Sequence, residues 1–480
     1  MKSIWCLDSK LPSFNSLNQD ITTKVCVIGG GLCGLLTLYL LSREGIDCIL
    51  IEAKTIASGV TPNTSAKITC QHGPIYSKII NQFNLKMAQQ YAKANSQALN
   101  MYHEIIQNNK IDCNLETIPT YLYTTKEGDV LETELVAMES VGLKGSLTNQ
   151  TTLPFEIVSA LKMDNQAQFN PLAFLSFISA NLPIYERTKA LAVEDNVVTT
   201  SNGKITADHI VVTTHFPFIN APGYYFMRMH QGRSYMTALK DAGTLDGAYL
   251  GIDDISYSFR TYKDMILLGG CGHRTGENEQ GGKYATLTSK AREFYPHSQQ
   301  VCYWATQDCM THDGVPYIGR YSNRVDNLYV ATGFNKWGMT SSMVSAMILR
   351  DIIMEKENPW QEVFSPQRSN LTASAKKLAI DGIEAVTGLI KQALCIPSAN
   401  LDEVEIGHGG IIEYNGEKIG VYKRSANEVY TVSTKCPHLG CQLTWNPDDL
   451  SWDCPCHGSR FDYKGNILNN PAQKELDHED

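Results

Sequence analysis

The chain has 480 residues, of which 43% are hydrophobic and 19% charged, and its formal net charge is −9. A chain of this length holds two or three domains with a sizeable buried core, and the composition is that of an ordinary globular protein. The acidic balance has no basic block and argues against nucleic acid or an anionic membrane as partner, while residues 1–20 lack the basic start and unbroken apolar run of a signal peptide, so a cytoplasmic protein without a transmembrane segment is expected.

Lys24-Val-Cys-Val-Ile28 reads as a buried strand. It is followed at once by Gly29-Gly-Gly31-Leu-Cys-Gly34, the apolar stretch Leu35–Leu41, and a second strand Asp47–Ile51 ending in Glu52. Strand, glycine turn, helix, strand and acid form the βαβ dinucleotide unit. Its glycines permit a tight turn, backbone approach to a pyrophosphate and close helix–strand packing, and the helix N-terminus faces the phosphates. Glu52, 18 residues after Gly34, is placed to accept a hydrogen bond from a ribose hydroxyl. The rival reading is a membrane span, because Val25–Leu41 carries no charge over 17 residues. Clustered glycines and a length below the roughly 20 residues required argue against it.

Met87–Gln107 has helical spacing and predicts one long surface helix. Thr117–Thr125, Val197–Thr200 with Lys204–Thr214, and Ser256–Leu268 predict strands, the last closed by Gly269-Gly270. Asn327–Gly333 predicts a further strand ending in glycine, and Met339–Glu355 the helix after it, a second glycine turn at a helix N-terminus. Gly269-Gly-Cys-Gly272 has no convincing helix behind it, which speaks against a second site for a nicotinamide nucleotide. Within Ser369–Ala399, Thr372–Leu394 has helical periodicity that Pro397 ends, predicting a helical connector.

The last fifth carries Cys436-Pro-His438-Leu-Gly-Cys441 and Cys454-Pro-Cys456-His457-Gly-Ser459. This double motif specifies a Rieske [2Fe–2S] cluster, with Cys436 and Cys454 on one iron and His438 and His457 on the other, and hence single-electron transfer. A zinc site could also use two cysteines and two histidines, but has no need of Cys441 and Cys456. Of 14 cysteines, the ten outside the four of this motif are scattered through apparent strands and helices and read as small buried residues of a reduced compartment.

With these motifs in place, residues 1 to about 365 resemble the glycine oxidase/D-amino-acid oxidase (DAO-type) flavoproteins, and residues about 400–480 resemble a Rieske domain. The landmarks are Gly29, Gly31, Gly34, Glu52, Ser58-Gly-Val-Thr61, Thr64-Ser-Ala-Lys67, Gln71-His72, Asp313–Gly319 and Thr332-Gly333-Phe-Asn-Lys336-Trp337-Gly338-Met339-Thr340. The resemblance implies an α/β fold: a Rossmann-like FAD-binding domain with an interleaved α+β substrate domain over residues 1–368, a helical connector over 369–399, and a small all-β Rieske domain over 400–480. It implies short strands around Gly416 and a third cluster loop at Pro471.

It also implies a Cys441–Cys456 disulfide and a hydrogen bond from the Ser459 hydroxyl to a cluster sulfide. Phe461 stands where the highest-potential Rieske proteins carry tyrosine, implying a potential below the top of the Rieske range. Asn63 lies near the place where covalent members carry their flavin-linked histidine, so FAD is expected to be noncovalent. Cys70 and Thr340 stand roughly where relatives hold a substrate carboxylate with basic side chains. Lys67 and Lys336 remain as cations to stabilise a reduced flavin, and His72, Tyr317 and Trp337 as residues of a substrate pocket. Nothing in the spacing of His215, His230, His312 or Arg233 assigns them a role.

The expectation is an FAD-dependent oxidoreductase, more a dehydrogenase than an oxidase, acting on a small amine or an N-substituted amino-acid-like substrate. Electrons would leave singly through the cluster, from an exposed His438/His457 edge, to a protein or quinone-like acceptor. The alternatives are a pure FAD/Rieske relay, or a reductase in which electrons run from cluster to flavin. Rieske-type ring oxygenation would need a two-histidine, one-carboxylate iron site, which the sequence does not offer.

Overall fold

The computed structural model describes residues 2–368 and 401–478, so the connector helix expected over Thr372–Leu394 lies outside the described residues. Strand Ile21–Ile28 shows how the first sheet is built. Val25 and Val27 enter the core on one face while Cys26 and Ile28 enter the core on the other, and a strand buried on both faces belongs inside a parallel sheet. It lies between Lys204–Val212 and Cys48–Ile51, both parallel to it. The sheet runs from Tyr317–Ser322 through Val325–Thr332, Lys204–Val212, Ile21–Ile28 and Cys48–Ile51 to Ile184–Tyr185, with the hairpin Ala190–Glu194/Val197–Thr200 paired onto Lys204–Val212. Helices Leu32–Arg43 and Gly338–Ile353 pack on each other across one face.

A nine-stranded mixed sheet stands over this unit. Its order is Gln299–Thr311, Met229–Lys240, Met265–Arg274, Ser258–Tyr262, Ala248–Gly251, Glu116–Thr124, Ser159–Gln168 and Lys67–Ile68, with Ser146–Thr148 beside Ser159–Gln168. The chain enters and leaves it twice between strands of the first sheet, once between Cys48–Ile51 and Ile184–Tyr185 and once between Lys204–Val212 and Tyr317–Ser322, which gives the interleaved α/β and α+β arrangement.

The expected strand Ser256–Leu268 is in fact a hairpin. Lys263, at φ 54, turns the chain between Ser258–Tyr262 and Met265–Arg274. Gly269 and Gly270 do not close the second strand but lie within it. A Cβ there would come 2.3 Å from Met236 Sδ and 2.5 Å from the Tyr257 ring, so the glycines admit neighbouring side chains.

The long helix spans Leu85–Asn108, capped by the Asn84 side chain on Met87 N–H. It is less superficial than its pattern predicts, because Tyr91, Ala98, Tyr102 and Ile105 pack into the core below it.

The C-terminal part is all β. Gly409–Tyr414, Glu417–Ser425 and Glu428–Ser433 form one antiparallel sheet, whose first turn is Asn415-Gly416 with both residues at positive φ. Thr444–Asn446, Ser451–Asp453, Arg460–Asp462 and Ile467–Asn469 form the other. Among the described residues no helix is long and apolar enough to cross a membrane.

Candidate functional site

The glycine turn is shaped by contacts only glycine allows. A Cβ on Gly34 would lie 2.0 Å from the Gly29 carbonyl oxygen, so helix Leu32–Arg43 can sit against strand Ile21–Ile28 only with glycine there. The helix begins without a side-chain cap on Gly31, and Leu32 N–H donates to Thr61 Oγ1 at 3.0 Å. Glu52 accepts from the N–H groups of Gly30 (2.7 Å) and Lys54 (2.8 Å). Burial raises its pKa against those bonds.

This turn opens into a cavity of about 920 Å³ that reaches from Gly29, Gly31, Glu52, Ser58 and Thr61 to Lys67, His72, Lys336, Trp337, Gly338 and Met339. A helix N-terminus whose own N-cap residue is glycine, an acid at the end of the second strand and a cavity of this size fit an FAD, and Asn63 lies in the same wall without any histidine beside it in sequence. Gly34, Gly333 and Thr340 stand behind the cavity wall rather than in it.

His72 is buried with both nitrogens engaged. Thr69 carbonyl lies 2.7 Å from Nε2 and can only accept, so Nε2 carries the proton and Nδ1 accepts from the Tyr91 hydroxyl at 2.6 Å. Thr340 Oγ1 is 2.9 Å from Nε2. Burial pushes the imidazole pKa down to about 3. The ring stacks on Trp337 at 4.6 Å and so sets the indole in the cavity wall, with no free nitrogen for proton transfer.

Lys67 Nζ lies 6.0 Å from the Trp337 ring centre, with no hydrogen bond or ion pair among the described residues. Burial, then the charge of Arg260, pushes its pKa down to about 8. Lys336 lines the cavity and donates to Ser234 Oγ at 2.9 Å. Tyr317 does not line it. Its ring is clasped between the guanidinium groups of Arg228 (4.2 Å) and Arg368 (4.3 Å) in the core below, because the apolar run around it packs under the first sheet. Asp308, which sequence patterns did not single out, lies in the cavity wall. So do Ser234 and Thr306, and residues 467–470 of the C-terminal part. No local pattern marks them, since tertiary contacts alone bring them there.

In the C-terminal part, the Cys436 and Cys454 thiols share a hydrogen bond, which lowers the pKa of Cys436 and raises that of Cys454. The Ser459 hydroxyl also bonds Cys436 and accepts from Ala472 N–H at 3.0 Å. The His438 and His457 rings are 5.0 Å apart, and the Nδ1 atom of each is buried without a partner. Burial pushes these imidazoles down to about 4 and about 3, so both are neutral and ready to ligate. Two paired thiols and two orphaned imidazole nitrogens fit a [2Fe–2S] centre with sulfur on one iron and nitrogen on the other. Cys441 and Cys456 form a disulfide across the two loops. The third group of close sulfurs, Cys454 with Cys441 and Cys456, is not a metal site, since two of its members are joined to each other.

The histidine edge is half-buried, not fully exposed as expected. His438 Nε2 lies 3.0 Å from Asn220 Oδ1, and the Phe226 ring stands edge-on to His438 (5.9 Å) and His457 (5.6 Å). Gln231 Nε2 donates to His457 O (2.8 Å) and Asn470 O (3.0 Å), and Gln307 Nε2 to Gly458 O (2.7 Å). Asn470, in the loop before Pro471, donates to Thr214 O (2.9 Å) and Phe216 O (2.6 Å). Arg233, which the sequence left without a role, pairs with Asp449, and Arg460 bonds Asp449 (3.0 Å) and Asp453 (2.8 Å). A surface of amides, buried charges and one aromatic ring, contributed by the segment 220–233 and strand Gln299–Thr311, covers the edge.

Comparison with known proteins agrees with both halves. The family model described as FAD dependent oxidoreductase (DAO) matches residues 24–352, and that described as Rieske [2Fe-2S] domain matches 395–478. A protein of Bacillus subtilis (strain 168), YhfW, named for a Rieske 2Fe-2S iron-sulfur centre, is 37% identical over 99% of this chain and 97% of its own. Gamma-glutamylputrescine oxidoreductase of Escherichia coli (strain K12) is 22% identical over 72% of this chain and 87% of its own. Glycine oxidase from Geobacillus kaustophilus shares the fold, with a TM-score of 0.60 at 16% identity over 73% of this chain and 99% of its own. The chain thus belongs to the DAO family of FAD-dependent oxidoreductases and carries a C-terminal Rieske [2Fe–2S] domain.

Proposed function

We propose that this chain is a dehydrogenase for a small amine or an N-substituted amino-acid-like substrate. In this reading its electrons pass internally to the Rieske centre and then singly to an external protein or quinone-like acceptor. The observation that carries the reading is the two-sided strand pair Met229–Lys240/Gln299–Thr311. Ser234, Thr306 and Asp308 lie in the cavity wall, while Gln231 and Gln307 bond the cluster loop at His457 and Gly458, and Arg233 pairs with Asp449 in the turn beside it. One strand layer therefore serves both sites, the arrangement internal transfer requires.

Bound FAD supplies a two-electron acceptor and the [2Fe–2S] centre a one-electron carrier. Gly29, Gly31, Glu52, Ser58 and Thr61 would hold the dinucleotide noncovalently, and Trp337, Gly338 and Met339 line the far part of the same cavity at the start of helix Gly338–Ile353. Lys67 holds a positive charge beside Trp337. His72 fixes the indole. Cys436, Cys454, His438 and His457 would ligate the cluster, and Phe226 and Asn220 partly cover its histidine edge. The domain limits near residues 368 and 400 belong to the same reading.

The test is anaerobic reduction with a panel of amines and N-methyl amino acids, with flavin absorbance and the reduced-cluster EPR signal recorded together. One compound that bleaches the flavin and raises the cluster signal supports the reading. If none does while dithionite reduces both centres, the chain is an FAD/Rieske electron-transfer protein without amine oxidation.

A further inference from the structure

Asp308 is the one carboxylate on the strand layer shared by the cavity and the cluster loops that faces the cavity, among the described residues. Strand Gln299–Thr311 pairs Asp308 with Gly232 and Thr306 with Ser234, so a side chain is missing opposite Asp308 and a hydroxyl lies two positions along. Among the described residues it has no hydrogen bond and no ion pair within 4 Å. Lys336, the nearest cation in charge effect, gives its ammonium to Ser234 instead. Burial raises the carboxyl pKa to about 6 although Lys336 and Arg233 oppose the rise. The other acids of the wall, Asp254 and Glu475, are exposed to water, and Glu52 is bonded to backbone N–H groups. A partly buried carboxylate without a partner is costly unless something of opposite charge arrives.

The surroundings give that visitor room. Gly272 lines the same wall, and a Cβ there would meet nothing closer than 3.5 Å. Lys67 lies elsewhere, on strand Lys67–Ile68 facing Trp337.

We propose that Asp308 is the substrate-anchoring group of this cavity, and that it selects a ligand bearing an ammonium or substituted-ammonium group and not one presenting a carboxylate. This deepens the amine reading above and rests on it for the identity of the reaction, though not for the binding itself.

The experiment titrates the holoenzyme with tert-butylammonium and with pivalate, two ions of matched shape. The cation has no hydrogen on the carbon beside nitrogen and so cannot be oxidised. Binding is read by calorimetry and by the shift in the flavin absorbance bands. Tert-butylammonium is expected to bind and pivalate not to. Asp308→Asn should weaken the cation at least tenfold with the flavin spectrum and cluster EPR unchanged, and Asp308→Glu should retain the preference for cation over anion. Pivalate binding in preference to the cation, binding of neither, or an Asp308→Asn variant that binds the cation as tightly as the parent overturns the proposal. The parent's own preference decides the matter if the variants do not fold. Should amines bleach the flavin while tert-butylammonium does not bind, Asp308 loses its role and the dehydrogenase stands. Should the cation bind at Asp308 while no amine bleaches the flavin, the dehydrogenase falls and the cation site stands.

Discussion

Gln307 Nε2 donates to the Gly458 carbonyl at 2.7 Å, one residue before Asp308 faces the flavin cavity. Gly458 has to be glycine for this contact. At φ 79 its Cβ would come 2.6 Å from Gln231 Cβ, so the cluster loop approaches the strand only without a side chain.

That approach predicts the effect of removing the amides. Gln231→Ala with Gln307→Ala deletes the bonds to His457 O, Asn470 O and Gly458 O, each worth about 1 kcal/mol. After anaerobic flavin reduction, the double variant should reduce its cluster several-fold more slowly in rapid-freeze EPR, with the flavin step itself unaltered. Equal cluster rates would show that the amide contacts do not support internal transfer.

The buried charges next to those amides predict a stability effect. Arg233 is 3% exposed and pairs with Asp449, which it shares with Arg460. Arg233→Met leaves part of a buried negative charge uncompensated and should cost about 3 kcal/mol. The cost should appear as a lower urea midpoint for loss of cluster absorbance, with Asp449→Asn in the same background recovering part of it.

Cys441 and Cys456 are 15 positions apart, and closing a loop of that size contributes about 3 kcal/mol. The Cys441→Ser/Cys456→Ser protein should keep its flavin and assemble a cluster, since the paired thiols and orphaned imidazoles remain, but should lose the Rieske EPR signal at lower urea than the parent. By contrast, His457→Ala should abolish that signal in native buffer.

Lys67 predicts a pH dependence. Its folded pKa of about 8 is below the ordinary lysine value of 10.5, so the unfolded chain holds the proton more tightly. The penalty is complete below pH 8 and is relieved as pH rises from about 8 to 10.5, so this group makes stability increase with pH in that window. Lys67→Met removes the effect. The parent-minus-variant stability, measured by urea unfolding at a series of pH values, should climb between pH 8 and 10.5. A flat difference would mean that Lys67 is solvated.

The positions legible in the sequence are those whose chemistry is local. Gly29, Gly31, Gly34 and Glu52 announce a dinucleotide site because turn, helix start and acid lie within one βαβ unit. The paired Cys–His loops announce the cluster because both ligands of each loop are near neighbours in sequence. Tyr317 shows the limit of this reading, since a landmark beside a glycine turn went to the core between two arginines. His72, similarly, has its place in the wall but both nitrogens committed.

By itself, then, the sequence determined the two cofactors, the α/β and all-β classes, and the four side chains proposed to hold the cluster. Only the tertiary structure decided that the histidine edge is half-covered by the segment around Asn220 and Phe226, that Gln231 and Gln307 bind the cluster loop while Arg233 pairs with Asp449, and that Asp308 stands unpaired in the cavity. The physical reason is separation along the chain. Gln307 and Gly458 are 151 residues apart and Gln231 and His457 226, so their meeting depends on how the finished sheets pack and leaves no periodicity or motif in either segment.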